Sequence, residues 1–351
     1  MPMFSKGIVL AQHKEPAFSG PILRFVNPRP DLMRLNPKSI NVATEEEAII
    51  EIAGRANIVD ERDGRLLYKK LEKAENVSLI IADAVDDEPY VSSKISLLLH
   101  YGEEMADGLD LCCRVAGCKK TAIIAYKMIT DIQTRIPHSV CKVKVTRLRG
   151  GYPADQAKRL RQFGYGEKLI VGVGALIHLS RAVYSQKVQT TVFVTVAGNC
   201  VTSPVNMEVS IGMTAMQVLE RCGLTAEPTR VVCGGSMTGI SVIDPDNTFV
   251  TSTTRAILAI RENERDARYN CIGCGRCEQV CPLGLNPMYI HRFVQNSYYA
   301  SLPPFDAHLC SGCGTCSYIC PSKLQVAQSV QTAKEYAKRN FIAGQNTEDE
   351  D

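Results

Sequence analysis

The sequence contains no uninterrupted apolar run of the ~18 residues that a membrane-spanning helix needs, which excludes direct insertion into a bilayer as a reading. Its start, Met1-Pro2-Met3-Phe4-Ser5-Lys6-Gly7, lacks the apolar core and cleavage site of a secretory signal. The expected location is the cytoplasm, with any membrane association arising through partners. A dominant charge is missing too: 40 Lys and Arg face 37 Asp and Glu, a formal net charge of +3. The basic residues do not gather into a stripe, so the electrostatic footprint of a nucleic-acid binder is absent. What remains is a chain of 351 residues, 45% hydrophobic, long enough for roughly two to four domains with their own cores.

Cysteine is what the sequence has in excess. Fifteen cysteines would suggest disulfides in a small secreted domain, but eight of them fall within the 50 residues from Cys271 to Cys320 of a large chain. That crowding favours metal ligation in a reducing compartment.

The pattern along the chain predicts a multi-domain α/β and α+β protein. Residues 1–44, rich in proline (Pro16, Pro21, Pro28, Pro30, Pro37) and without sustained period, read as an arm or small subdomain. Over 45–187, helical stretches (Glu45 to Arg55, Lys94 to Val115) alternate with apolar or alternating runs (Val77 to Ala82, Thr121 to Ala125, Val140 to Val145), which predicts an α/β sheet. Over 188–262, a strand from Thr191 leads to one helix capped by Thr214 and to short strands separated by Gly234-Gly235, Gly239 and Asp244 to Asn247. This is the mix of a small α+β module. Residues 263–340 hold the cysteine repeat and a final helix, and 341–351 read as an acidic, disordered tail.

The repeat is C-x2-C-x2-C-x3-C-P twice: Cys271, Cys274, Cys277, Cys281 before Pro282, and Cys310, Cys313, Cys316, Cys320 before Pro321. In this spacing three thiolates wrap one [4Fe–4S] cubane, and the fourth, turned away, ligates the other. Cys271, Cys274, Cys277 and Cys320 are therefore expected on one cluster, and Cys310, Cys313, Cys316 and Cys281 on the second. Gly273, Gly275, Gly312 and Gly314 let the backbone curl around each cube. Zinc is the competing reading, but tetrahedral C-x2-C pairs have no use for a third evenly spaced cysteine. A helix is expected in the segment between the motifs, near Asn286 to Tyr299. Such clusters change state by single electrons and must connect a donor to an acceptor.

Further motifs run through the chain: Lys6-Gly7-Ile8, His13-Lys14-Glu15, Asp87-Glu88-Pro89-Tyr90-Val91-Ser92-Ser93, Tyr152-Pro153, Gly172-Val173-Gly174-Ala175, Val194 to Gly198, and Cys233-Gly234-Gly235-Ser236-Met237-Thr238-Gly239. With the double cysteine motif they resemble the C subunit of the Rnf electron transport complex and its relatives, among them cobalamin reductases and electron carriers linked to proline reductase. The resemblance implies an FMN-binding domain like that of the NADH-oxidising subunit of complex I, here degenerate, then an SLBB β-grasp domain and a ferredoxin-like dicluster domain. It implies NADH reducing FMN, FMN feeding the clusters, and redox partner proteins, including a membrane electron-transport complex. It also implies that Glu88 sits near the flavin and nicotinamide.

One stretch departs from that family. Where the family has a glycine-rich loop around the flavin phosphate, this chain reads Asn57-Ile58-Val59-Asp60-Glu61-Arg62-Asp63-Gly64-Arg65. Anion cradles need backbone at close approach and residues tolerant of positive φ, and Asp60, Glu61 and Asp63 would repel a phosphate. The loop therefore weighs against FMN and NADH, although Arg62 and Arg65 could reach a phosphate by side chain. The N-terminus also leaves little room between Lys14 and Glu45 for the lipoyl-like fold the family inserts there. Two functions stand: an RnfC-like relay taking electrons from a partner oxidoreductase, and an FMN-dependent NADH dehydrogenase feeding its own clusters. A scaffold merely braced by clusters is a third.

Other candidates have plainer uses. Glu88 also suits an acidic turn with Asp86, Asp87 and Pro89. Cys112, Cys113 and Cys118 form C-C-x4-C, but adjacent helical residues point to different faces and no fourth ligand is evident. Cys141, Cys200, Cys222 and Cys233 read as small hydrophobes, and Gly172-Val173-Gly174 as a turn before a helix.

Overall fold

Leu79–Ala84 (β2) is apolar at every position but one and buried along its whole length, the pattern of a strand covered on both faces. It lies in a five-stranded sheet ordered β4-β5-β3-β2-β6, with β3 Thr121–Tyr126, β4 Ser139–Val140, β5 Val143–Leu148 and β6 Lys168–Gly172. All neighbours are parallel except the β4/β5 hairpin. Helices α1 (Glu46–Arg55), α2 (Leu67–Leu71), α3 (Ser93–His100), α4 (Gly102–Val115) and, after β6, α5 (Val173–Ser185) accompany this sheet. One core joins Ile49, Leu67, Ile80, Leu98, Met105, Ile123 and Ile177, and a smaller one on the opposite face joins Ile81, Ile124, Leu148 and Leu160. The computed structural model describes residues 23–25, 46–126, 136–148, 151–154, 160–164, 166–261, 269–302 and 305–348. The motif residues Lys6 to Ile8 and His13 to Glu15 lie outside them.

Two differences from the sequence reading have physical reasons. The helix expected over 94–115 is two, because Tyr101 leaves helical backbone (φ −125°, ψ 31°) between α3 and α4. Its ring there packs 5.8 Å from Phe193 and beneath Arg181, a tertiary contact that outweighs local propensity. The final helix runs through Glu348, so 341–348 is helical where a disordered tail was expected. Gly344 is the least helix-prone residue in that stretch, and the acidic run begins at Glu348.

A second sheet has the order β1-β8-β7-β11-β9-β10. Its strands are β1 Leu23–Phe25, β7 Thr191–Ala197, β8 Val205–Ser210, β9 Arg230–Cys233, β10 Ile240–Val242 and β11 Ala256–Ile260. β7 and β8 pair antiparallel and β11 lies parallel beside β7. The N-terminal arm thus supplies an edge strand, β1, parallel to β8. Helix α6 (Ala215–Cys222) starts with the expected Thr214, completed as a capping box by Gln217. Val218 and Leu219 of α6 pack on Val194, Val196 and Ile257.

Both sheets belong to one compact unit, Met1–Arg261, and Glu262–Asp351 forms another. In the second unit α7 (Arg276–Gln279), α8 (Pro287–Gln295), α9 (Thr315–Tyr318) and α10 (Val326–Glu348) close over Ile290, Leu302, Val326, Val330 and Ala333. The His291 ring nitrogen Nδ1 bonds Ser329 Oγ at 2.8 Å, tying α8 to α10.

Candidate functional site

The two cysteine motifs fold alike. Gly275 and Gly314, both left-handed (φ 68° and 75°), precede the single-turn helices α7 and α9. A Cβ is disfavoured in that conformation. Each turn carries the third cysteine of its motif, and the fourth follows it, with Cys281 N–H donating to the Glu278 carbonyl and Cys320 N–H to the Ser317 carbonyl. Cys271, Cys274 and Cys277 line one cavity together with Cys320, the last cysteine of the other motif. Ile272, Met288, His291, Leu324 and Val326 complete its wall.

Around the second set, Gly312 N–H donates to Cys310 Sγ at 3.4 Å and Gln331 Nε2 lies 3.7 Å from the same sulfur. Cys313 Sγ lies 3.2 Å from Thr315 Oγ1. Burial, then the neighbouring Cys313 and Cys310, pushes the Cys316 thiol up to about 12. Burial raises Cys310 as well, and both Cys313 and Cys281 act on it in the same direction. Crowded, desolvated thiols of this kind ionise only against a positive core. Among the described residues no three His, Cys, Asp or Glu side chains converge on a single metal ion. Cys271, Cys274, Cys277 and Cys320 line a space, and a polynuclear iron–sulfur core fits that soft donor set.

The α/β sheet has its own focus. The chain runs outward from β2 through β3 to β5 and then returns to place β6 on the other side of β2, so strand order reverses between β2 and β6. Crevices at the carboxyl ends of strands flanking such a reversal are where open α/β sheets bind ligands. Here the crevice is full of the chain's own charges. Asp83, at the end of β2 and inaccessible to solvent, pairs with Lys94 Nζ at 2.7 Å and Arg62 Nε at 3.3 Å. Burial acts to raise Asp83, but those two cations outweigh it and hold the carboxyl below its ordinary range. Asp86 receives Ile95 N–H at 2.8 Å and is raised by burial to about 6.

The loop that replaces the glycine-rich stretch is closed on itself by the Val59/Leu66 bridge. Lys70 pins it, donating to Asp60 Oδ2 (2.6 Å), Asp63 Oδ2 (3.0 Å) and the Ile170 carbonyl (2.8 Å). Asp60 Oδ1 accepts from Gly172 N–H at 3.1 Å. The Glu61 carboxylate accepts from both Gly174 N–H (2.8 Å) and Ala175 N–H (3.0 Å) at the start of α5. A Cβ on Gly172 would lie 2.3 Å from Glu61 Oε1, so a larger residue there would have to displace the carboxylate. Burial, then the adjacent Asp60, raises Glu61 to about 7.

Glu88 faces the second sheet. Its carboxylate accepts from Met237 N–H (2.8 Å), Thr238 N–H (3.1 Å), Thr238 Oγ1 (2.7 Å) and Arg255 (2.9 Å). A Cβ on Gly235 would stand 1.8 Å from Glu88 Oε2. Two motifs far apart in sequence, the one around Glu88 and the one from Cys233 to Gly239, thus meet at one carboxylate. Cys113, Cys118 and Cys141 line a separate cavity, whereas Cys112 is buried in the main core. Sequence reasoning overlooked Asp83, Lys94, Arg255 and His178 as crevice residues. An aspartate within the apolar run of β2 was the available signal.

The SLBB domain model matches residues 193–241. Over 282 residues the chain is 28% identical to the C subunit of the ion-translocating oxidoreductase complex of Rhodobacter capsulatus, covering 75% of this chain and 54% of that protein. The C subunit of the Na+-translocating ferredoxin:NAD+ oxidoreductase complex of Acetobacterium woodii is 25% identical, with 64% and 55% covered. In sequence the chain is similar to these C subunits, and it spans about half the length of those two relatives. Among solved structures, an NAD+-reducing [NiFe]-hydrogenase in the H2-reduced state aligns over 78% of this chain and 52% of its own, at 15% identity and a TM-score of 0.49.

Proposed function

We propose that this RnfC-like chain relays single electrons between a partner oxidoreductase and an acceptor. Two [4Fe–4S] clusters would serve, one on Cys271, Cys274, Cys277 and Cys320, the other on Cys310, Cys313, Cys316 and Cys281. The observation that carries this reading is the single cavity lined by three cysteines of the first motif and the last of the second, the exchange that ferredoxin spacing demands. When bound, the clusters supply one-electron redox chemistry. The protein's part is to hold the thiolates and to tune the cores by hydrogen bonds to sulfur such as that from Gly312 N–H to Cys310.

The switch-point crevice does not fit a flavin phosphate, because Glu61 holds the α5 amides and Asp60 holds Gly172 N–H. The α/β domain, 45–187, therefore carries neither FMN nor NADH in this reading, and no hydride step runs through it. With its four donors, Glu88 clamps this domain to the SLBB domain, 188–262, and the dicluster domain occupies 263–340. The relatives are subunits of ion-translocating complexes by name. Among the described residues no helix is long and apolar enough to cross a membrane. On this reading the chain works in the cytoplasm, peripheral to the membrane and held there through such partners.

The test is anaerobic purification of the full chain. Expected are ~8 iron and ~8 sulfide per chain, an EPR signal after dithionite, no flavin, and no bleaching by NADH. Stoichiometric flavin bleached by NADH would instead establish an NADH dehydrogenase feeding its own clusters. No cluster signal after reduction would overturn both.

A further inference from the structure

A phosphate-binding crevice in an open α/β sheet has three recognisable parts: a reversal of strand order, a helix beginning there, and glycines that let an anion approach the backbone. All three are present, at the β2/β6 reversal, at the start of α5, and at Gly172 and Gly174. What stands at the anion position is Glu61, whose two carboxylate oxygens each take one of the two amides. Both glycines lie close to that carboxylate: a Cβ at Gly172 or Gly174 would stand 2.3 or 3.1 Å from its atoms, so a side chain at Gly172 would push it off the amides.

A second observation comes from the wall behind it. His178, on the same helix, is 5% exposed, and its Nε2 has no hydrogen-bond partner among the described residues. It lines a cavity together with Glu61, Lys94, Gln189 and Arg255. The ring stacks on Phe193 with centroids 5.4 Å apart, and its Nε2 is left as an unanswered polar atom in a wall that also holds Lys94 and Arg255.

We propose that the Glu61 carboxylate is a resident anion, filling a phosphomonoester site that the chain would otherwise offer at the start of α5. Removing that side chain leaves two free amides and the positive end of α5, flanked by His178 and by Lys94 and Arg255, which stay paired with Asp83 and Glu88. The inference rests on the reading that the domain carries no flavin of its own, and it deepens that reading by naming the residue responsible.

The test is equilibrium dialysis of the full-length, cluster-loaded protein against FMN, with riboflavin as the probe lacking phosphate. Wild type retains neither. Glu61→Ala retains FMN about tenfold or more over riboflavin, and inorganic phosphate competes with it. Should the alanine variant not fold, Glu61→Ser vacates the same space while offering the amides a hydroxyl, and the same preference is expected of it. A variant with the wild-type circular dichroism spectrum that binds neither probe, or both equally, overturns the proposal and leaves the relay reading standing. Stoichiometric flavin in the wild-type protein as purified overturns both.

Discussion

The switch-point crevice and the cysteine sites handle buried charge in opposite ways. In the crevice each carboxylate has an answer within the chain: Asp83 has Lys94 and Arg62, Asp60 has Lys70 and Gly172 N–H, and Glu61 has two helix amides. At the cysteine sites the groups of like kind face one another, and burial drives Cys316 up to about 12. One region balances its charges within the polypeptide; on the relay reading, the other needs a positive core among its thiols.

The comparison breaks most visibly at the cysteines. Cys320→Ser and Cys271→Ser should each cost about half the iron, ~4 of ~8 atoms per chain, and leave the same residual EPR spectrum. Cys281→Ser should leave the complementary one. If the Cys320 variant instead matches the Cys310 variant, the ligand exchange between motifs is wrong. In the crevice the largest effect belongs to Lys94→Met, which strands Asp83 without its nearest cation. The expected loss is about 3–5 kcal/mol in urea unfolding followed at the Met1–Arg261 unit. A loss under about 1 kcal/mol would mean that Arg62 alone suffices. Smaller again is Glu88→Gln, which removes the charge opposing Arg255 but retains the shape. A loss of about 1–3 kcal/mol is expected, with faster hydrogen exchange at Met237 and Thr238 as the local readout.

Legibility followed the distance between partners. The double cysteine motif and the Thr214/Gln217 capping box are written within a few residues, and both are readable by eye. β2, β3 and β7 were readable as apolar runs because strands buried on both faces need no alternation. Glu61 was readable only as a residue hostile to phosphate. Its use as a ligand for α5 depends on amides 113 and 114 residues away. Glu88 meets Arg255 across 167 residues, and no local pattern announces that pair. The break at Tyr101 was hidden for the same reason, since it follows from Phe193 and Arg181. The strand at Leu23–Phe25 owes its existence to β8, because three residues show no period of their own.

The subtlest test uses pH. Glu61 and Asp86 have folded values raised to about 7 and about 6. The native state therefore holds protons that the unfolded chain has released. Each contributes stability present below the ordinary carboxylate range and lost as pH rises through the folded value. His178 works the other way. Burial, then Arg181, lowers it to about 4, so its contribution is present above the ordinary histidine value and lost as pH falls through the folded one. Between about pH 5 and 7 the slopes oppose, and Glu61→Gln removes one of the two descending contributions. The urea midpoint of the variant should therefore fall less, or rise more, than that of wild type from pH 5 to 7.5. Identical slopes would place the Glu61 proton elsewhere. That would mean the carboxylate stays ionised on the α5 amides throughout, an even closer likeness to a bound phosphate.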